Sequence, residues 1–407
     1  MTVGLRVIGM ISGTSMDGID AAVAELSIVD DVVTLRPIGA TSVPYAPDLR
    51  SGMAAALPPA TTSAGELCRL DSLVGRAFAE AARTVLGELA GGRADLIASH
   101  GQTLFHWVDE GGRARGTLQI GQPAWIAAAT GLPVVADLRA ADVAAGGQGA
   151  PLAALFDQLL LAGTPGTTAA LNLGGIANMT IVSADLGGAQ EPRRQPVSYD
   201  IGPANALIDA AVRHVTGGAH DFDRDGAMAR RGMVQRDLLR RLLDDPYYRR
   251  QPPKSTGKEH FHAGYLLERV GDDAIGADDL VATVTALTAV TVAADCRAAG
   301  VERLLVSGGG ASNPVLFDLL TAELPDVRLS TIDELGVPAD AKEAYLLALI
   351  GFLSVHHLPG NAPWATGADR PVVLGSVVPG ASGFPDLRRH PTTPTRLVVQ
   401  RDHASPR

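Results

Sequence analysis

The first residues along the chain with a chemistry of their own are Gly13, Thr14, Ser15, Met16, Asp17, Gly18, Ile19 and Asp20. Together with Ser12 they offer backbone N–H groups unobstructed by large side chains, hydroxyls and carboxylates. These are the parts needed to wrap a nucleotide phosphate and hold its magnesium through water. Gly and Asp equally favour an ordinary hairpin turn, and composition leaves the two readings near parity. Farther on, Asp200 stands in Tyr199-Asp200-Ile201-Gly202-Pro203, past a strand pattern and before a helix. A carboxylate there can face a cleft as a general base, or simply cap the helix that the proline starts.

Several stock motifs are excluded. Ser255-Thr256-Gly257-Lys258-Glu259 lacks the earlier glycine and the following Ser/Thr of a Walker loop, and Gly308-Gly309-Gly310-Ala311-Ser312-Asn313 does not complete a dinucleotide fingerprint. Neither a protein-kinase catalytic loop nor a nucleophile elbow occurs. His260 and His262 have no evident third ligand, so no transition metal is assigned. Lysine occurs only at Lys254, Lys258 and Lys342 in an arginine-rich chain. The two within Pro252-Pro253-Lys254-Ser255-Thr256-Gly257-Lys258 therefore stand out, because ammonium and guanidinium are not interchangeable at a site.

The elements that must position these residues follow from periodicity. Leu5 to Ile11, Ile19 to Leu26 and Val32 to Ile38 read as strands and Glu66 to Leu89 as a helix, an opening βββα unit. A short strand at Asp95 to Ser99 and a strand-helix-strand stretch from Leu118 to Asp137 come next, then the glycine-rich run 144–151. The pattern restarts with strands at Thr168 to Leu173, Met179 to Val182 and Val197 to Ile201, the first two joined by Gly174-Gly175. Helices are expected at 280–299, 313–323 and 339–355, with a strand at 303–306. Two glycine-tipped hairpins, each opening an α/β lobe, imply a duplicated architecture. The expected division is 1–137 and 138–375, with 376–407 a loosely held tail.

A length of 407 residues suits two domains. No uninterrupted apolar run approaches the roughly 20 residues of a membrane helix, and no leader pattern opens the chain. The formal charge of −10 argues against nucleic-acid binding. Cys68 and Cys296 form no ligand-spaced group, which fits a reducing compartment, and the cytoplasm is expected.

Seven segments in order resemble one family. They are Gly9 to Asp20, Ser99-His100-Gly101-Gln102-Thr103, Ala145 to Pro151, Asn172 to Asn178, Asp200 to Asn205, Pro253 to Gly257, and Ser307 to Gly310. Together they resemble the anhydro-N-acetylmuramic acid kinases, of the acetate and sugar kinase, heat-shock ATPase and actin superfamily. The resemblance implies a two-lobed actin-like ATPase (ribonuclease H-like) α/β fold with its active site in the interlobe cleft, using ATP and Mg2+. It makes Gly13 to Asp20 the first phosphate element, Gly174 and Gly175 the second, and Gly308, Gly309 and Gly310 the adenosine loop. Asp17 and Asp20 become the magnesium residues through water, and Asp200 the base.

By the same resemblance Arg139 and Glu343 contact an amino sugar, with His100 and Gln102 able to line the same pocket. An arginine fork suits the lactyl carboxylate of a muramic acid. Ile201 stands where the family more often has threonine. A homodimer acting in cell-wall recycling is implied, without nucleic-acid or membrane partners. A kinase for another sugar or carboxylate, and an ATP-gated binding module, are the alternatives.

Overall fold

A computed structural model of the chain describes residues 4–13, 16–183, 195–252, 254–257, 259–385 and 389–400. Its strands are β1 (Leu5–Ser12), β2 (Gly18–Val29), β3 (Val32–Pro44), β4 (Leu96–Val108), β5 (Ala114–Ile120), β6 (Val134–Ala136), β7 (Thr167–Leu173), β8 (Ile176–Ser183), β9 (Val197–Pro203), β10 (Arg303–Ser307), β11 (Arg328–Thr331), β12 (Ser376–Val378) and β13 (Arg396–Val399). They form two α/β units, Met1–Ala162 with Leu335–Arg407, and Gly163–Glu334.

In the first unit the sheet runs β12-β6-β4-β1-β2-β3-β13, with β5 hanging from β4. β1, β2 and β3 are antiparallel, whereas β4 and β6 continue parallel to β1. Residues 7–12 of β1 are buried throughout rather than alternately, as a central strand covered on both faces requires. One face packs Ile8, Met10 and Val23 against Leu70, Val74 and Phe78. Those three lie on the helix Ala64–Glu88, whose N-terminus Ser63 caps by accepting from Glu66 N–H at 3.1 Å. On the strand side of helix Lys342–Val355, a Cβ on Gly9 would come 2.0 Å from the Ala344 carbonyl oxygen. Only glycine allows so close an approach of helix to strand.

The second unit repeats the same path. Its order is β11-β10-β7-β8-β9, with β7, β8 and β9 antiparallel and β10 and β11 parallel to β7. Counted along the chain, each core sheet has the order third, second, first, fourth, fifth. This duplication meets the fold expectation of two actin-like α/β lobes, each opened by a glycine-tipped hairpin. The helix Ala277–Ala299 is long and apolar enough to cross a membrane by length and composition, a feature the sequence reading passed over. In that window 78% is buried in protein, and Val292, Ala293 and Cys296 join the core of this unit.

The division differs from the expected boundaries at 137/138 and 375/376. Residues 138–162 stay with the first unit because Asp142 and Asp157 are tied to its C-terminal part, through Asn361, Thr366 and Lys342. The chain then returns at 335, since helix Lys342–Val355 lies on β1 and β12 pairs with β6. The tail also departs from expectation. Arg396–Val399 pairs in parallel with β3 and buries Leu397, while 401–407 lie outside the described residues.

Candidate active site

In the first unit the candidate residues gather at the C-terminal ends of β1 and β6 and beside them within β4, where Gln102 pairs with Ser12; open α/β sheets bind ligands at such strand ends. The β1–β2 tip includes Gly13 and Asp17; Thr14 and Ser15 lie outside the described residues. Met16 adopts φ 52°, a left-handed conformation unusual for its type, and its N–H reaches the Gly13 carbonyl at 3.2 Å. Ile19 is buried in the core, so its side chain supports the hairpin rather than meeting a ligand. Asp20 sits on β2 opposite Ile11 and Ser42. Burial raises its pKa, the Ser42 hydrogen bond opposes this, and the charges of Asp17 and Asp340 add to the rise.

Gln102 braces the hairpin. It accepts from Ser12 Oγ at 2.6 Å and donates to the carbonyls of Gly13 and Thr103, both at 3.2 Å. Its amide is thus engaged in shaping the tip, a role different from the expected sugar contact.

Arg139, His100 and Glu343 do come together. Arg139 follows β6, donates from Nε to His100 Nε2 at 2.7 Å, and from Nη1 to the Gly149 carbonyl at 2.7 Å. For Nε2 to accept, the imidazole is neutral with its proton on Nδ1, which faces the Gly101 carbonyl at 3.2 Å. Burial and the Arg139 charge hold the His100 pKa down to about 3. Burial lowers the Arg139 pKa, while Glu343 and Asp142 favour its charge. The Glu343 carboxyl is raised by burial, against the pull of Lys342 and Arg139. Nη2 of Arg139 makes no hydrogen bond among the described residues, so the end of the guanidinium stays open to an anion.

Asp142 is the residue the sequence reading missed. It is fully buried and accepts from Gly149 N–H at 2.8 Å, Asn361 Nδ2 at 2.7 Å and Thr366 Oγ1 at 2.8 Å. It thereby fixes the glycine-rich turn whose Gly149 carbonyl holds Arg139. The signal available was an acid three residues past Arg139, leading into Gly146-Gly147-Gln148-Gly149.

In the second unit the Gly174 and Gly175 carbonyls accept N–H groups from Asn205, Ala204 and Ala206, seating the β7–β8 tip on the start of helix Asn205–Val215. Gly308 follows β10, the parallel neighbour of β7, with φ 82°. A Cβ there would lie 2.3 Å from Asn172 Oδ1 and 2.9 Å from the Leu173 carbonyl oxygen. The glycine loop is thus pressed onto the β7 end, and Gly309 and Gly310 turn into helix Pro314–Glu323, which Asn313 caps. The two glycine loops are thus adjacent at the ends of the parallel strands β7 and β10.

Asp200 lies inside β9, and the following helix has Ala204 at its cap without a side-chain bond, so Asp200 does not cap it. Its Oδ2 accepts from Ser255 Oγ at 2.8 Å and Thr256 N–H at 3.0 Å. Its own N–H donates to the Lys254 carbonyl at 3.2 Å. Oδ1 makes no hydrogen bond among the described residues. Burial raises the Asp200 pKa, the Thr256 and Ser255 donors lower it, Glu259 raises it and Lys254 lowers it. The sequence left the 252–258 loop without a role. Its described residues hold this carboxylate, while Pro253 and Lys258 lie outside them.

His260 and His262 are occupied otherwise. His260 Nε2 pairs with Asp245 at 3.1 Å, and His262 Nδ1 accepts from Tyr265 N–H at the start of helix Ala263–Val270. Among the described residues no group of three or more His, Cys, Asp or Glu stands at metal-holding distance.

The family described as anhydro-N-acetylmuramic acid kinase matches residues 5–380. A Streptomyces coelicolor protein of that name is 56% identical over 377 residues, covering 92% of this chain and 94% of its own. The namesake from Streptomyces avermitilis is 53% identical, covering 97% of this chain and 100% of its own. One from Rhodococcus erythropolis is 50% identical over the same shares.

Proposed function

The chain belongs to the anhydro-N-acetylmuramic acid kinase family, a family of phosphotransferases with an alcohol acceptor, and on that premise we propose how its residues divide the reaction. Water attacks the anomeric carbon of 1,6-anhydro-N-acetylmuramic acid and opens the bridge. The released O6 takes the γ-phosphoryl group of ATP, giving N-acetylmuramic acid 6-phosphate and ADP. The product would enter amino-sugar catabolism as part of cell-wall recycling.

The observation that carries this reading is the one-sided binding of Asp200. Both donors go to Oδ2, which leaves Oδ1 to take the proton of the attacking water. Burial brings the carboxyl nearer the pKa a general base needs, and its donors from Thr256 and Ser255 oppose that rise. The open end of Arg139 suits the lactyl carboxylate, and neutral His100 keeps the guanidinium turned.

Gly174, Gly175 and Gly308 to Gly310 offer backbone to the nucleotide, as does the Gly13 to Asp20 hairpin. Magnesium fits Asp17 and Asp20, whose oxygens are the hard donors it prefers, through water rather than in a full protein cage. When bound it would neutralise phosphate charge.

The test is Asp200→Asn, assayed in ¹⁸O water with ATP, magnesium and the anhydro sugar. Wild-type product carries one solvent oxygen. In the variant, turnover falls about 10²-fold with ATP binding retained, the scale of a lost base. Near-normal turnover would remove Asp200 from this role, and product without solvent oxygen would reject the hydrolytic opening.

A further inference from the structure

Under the segment that holds Asp200 lies a buried cation the reaction does not consume. The Lys254 side chain is 4% exposed, and its Nζ stands 3.6 Å from Asp295 Oδ2. The same ammonium lies 5.5 Å from the ring centre of Tyr199 and 5.2 Å from that of Tyr247. Asp295 belongs to the long helix Ala277–Ala299, so the anchor point is a rigid element of the unit's core.

Lys254 and Tyr247 also bracket the backbone of Asp200. The Lys254 carbonyl accepts Asp200 N–H at 3.2 Å, and Tyr247 Oη donates to the Asp200 carbonyl at 2.7 Å. The next two residues, Ser255 and Thr256, supply both donors to the carboxylate. A buried ammonium is costly without a partner. One of only three lysines in the chain is nevertheless spent here. A compact point charge suits the space between two rings and a carboxylate better than a planar fork.

We propose that Lys254 and Asp295 are positioning residues for Asp200. Their ion pair, flanked by Tyr199 and Tyr247, fixes 254–256 so that Ser255 and Thr256 grip one carboxylate oxygen and leave the other open. This rests on the reading of Asp200 as the base. Among charged groups acting on Asp200, Lys254 favours the carboxylate and Glu259 opposes it. Removing Lys254 therefore moves the acid limb of the rate profile to higher pH, because the base must be deprotonated.

Single substitutions would strand a buried charge, so the decisive variant is the double one, Lys254→Met with Asp295→Asn, which removes both charges at similar volume. Three readouts are taken on the full chain: the pH profile of kcat, the KM for ATP, and amide hydrogen exchange of 254–257. The anchor predicts an acid limb at higher pH, kcat lower by about tenfold at neutral pH, an unchanged KM for ATP, and lost protection of Thr256 N–H. Lys254→Arg keeps the charge but not the compact ammonium, and is expected to restore the limb position only in part.

Unchanged protection at 254–257 overturns the anchor whatever the rates do. Lost protection with an unmoved limb overturns its link to Asp200. Asp200→Asn, run alongside, separates the two ideas. If that variant turns over normally the base assignment fails, and the exchange measurement alone decides whether the anchor holds the segment.

Discussion

Asp142→Asn offers the sharpest test of how the first unit holds Arg139. Asp142 accepts three hydrogen bonds with no exposure, two on Oδ1 from Asn361 and Thr366 and one on Oδ2 from Gly149 N–H. An asparagine can keep its oxygen toward Asn361 and Thr366. Its NH2 must then face the Gly149 N–H, donor against donor.

One bond to a charged acceptor, worth about 1.5–3 kcal/mol, is lost, and an unpaired buried N–H costs about 1–3 kcal/mol more. The expected loss is thus about 3 kcal/mol or more from the first unit. All three tryptophans, Trp107, Trp125 and Trp364, lie in that unit, so tryptophan fluorescence in a urea titration reads it selectively. The Gly149 carbonyl also holds Arg139 Nη1, so KM for the sugar rises more than KM for ATP. A loss below about 1 kcal/mol, against an expectation built from buried hydrogen bonds, would refute the assignment of Asp142 as the keystone of this turn.

Two further outcomes are expected. His100, with its folded pKa held down to about 3 against 6.5 when unfolded, binds its proton only in the unfolded chain across that window. Its contribution is therefore complete above the unfolded value and is lost as pH falls, by up to ~1.4 kcal/mol per pH unit. His100→Gln should remove that slope in unfolding free energy below pH 6.5, and parallel pH curves for the two proteins would contradict the neutral buried imidazole. Gly308→Ala combines a left-handed φ with a Cβ contact of 2.3 Å to Asn172 Oδ1. It should raise KM for ATP about tenfold, the scale of about 1.4 kcal/mol, while KM for the sugar changes little, and a KM for ATP within twofold of wild type would detach this loop from the nucleotide.

Much of the scaffold was legible because it depends on local pattern. The apolar runs around Ile8 and Ala22 and around Ala170 and Met179, each with a glycine tip, announced the two hairpins before any pairing was visible. The reading stopped where a strand lacks a clean apolar alternation, as in the half-exposed far end of β4, and where the ties are distant in sequence. β4 was expected to end at Ser99 but runs to Val108, because Gln102 through Val108 pair antiparallel with β5. Gly101 at φ 70° lets the strand continue across a kink that no apolar period signals. The domain boundaries depart from expectation because their ties are distant, since nothing near Asp142 in sequence announces Asn361 or Thr366.

The candidate site divides along the same line. Asp200 stood out by residue type and position and Arg139, Glu343 and His100 through the family resemblance, but the electrostatic surroundings of each come from neighbours distant in sequence. Asp200 could have been a helix cap until Ser255 and Thr256 were seen to take its Oδ2. Burial alone would drive each ionisable group toward its neutral form. For Asp200 the opposing donors arrive on a loop that a buried lysine holds down, and for His100 the Arg139 charge adds to burial instead of opposing it. One group is thereby drawn back toward its ionised form and the other pushed further toward its neutral one. That difference follows from which chain segments fold over each residue, so it could be read only once the strands were paired.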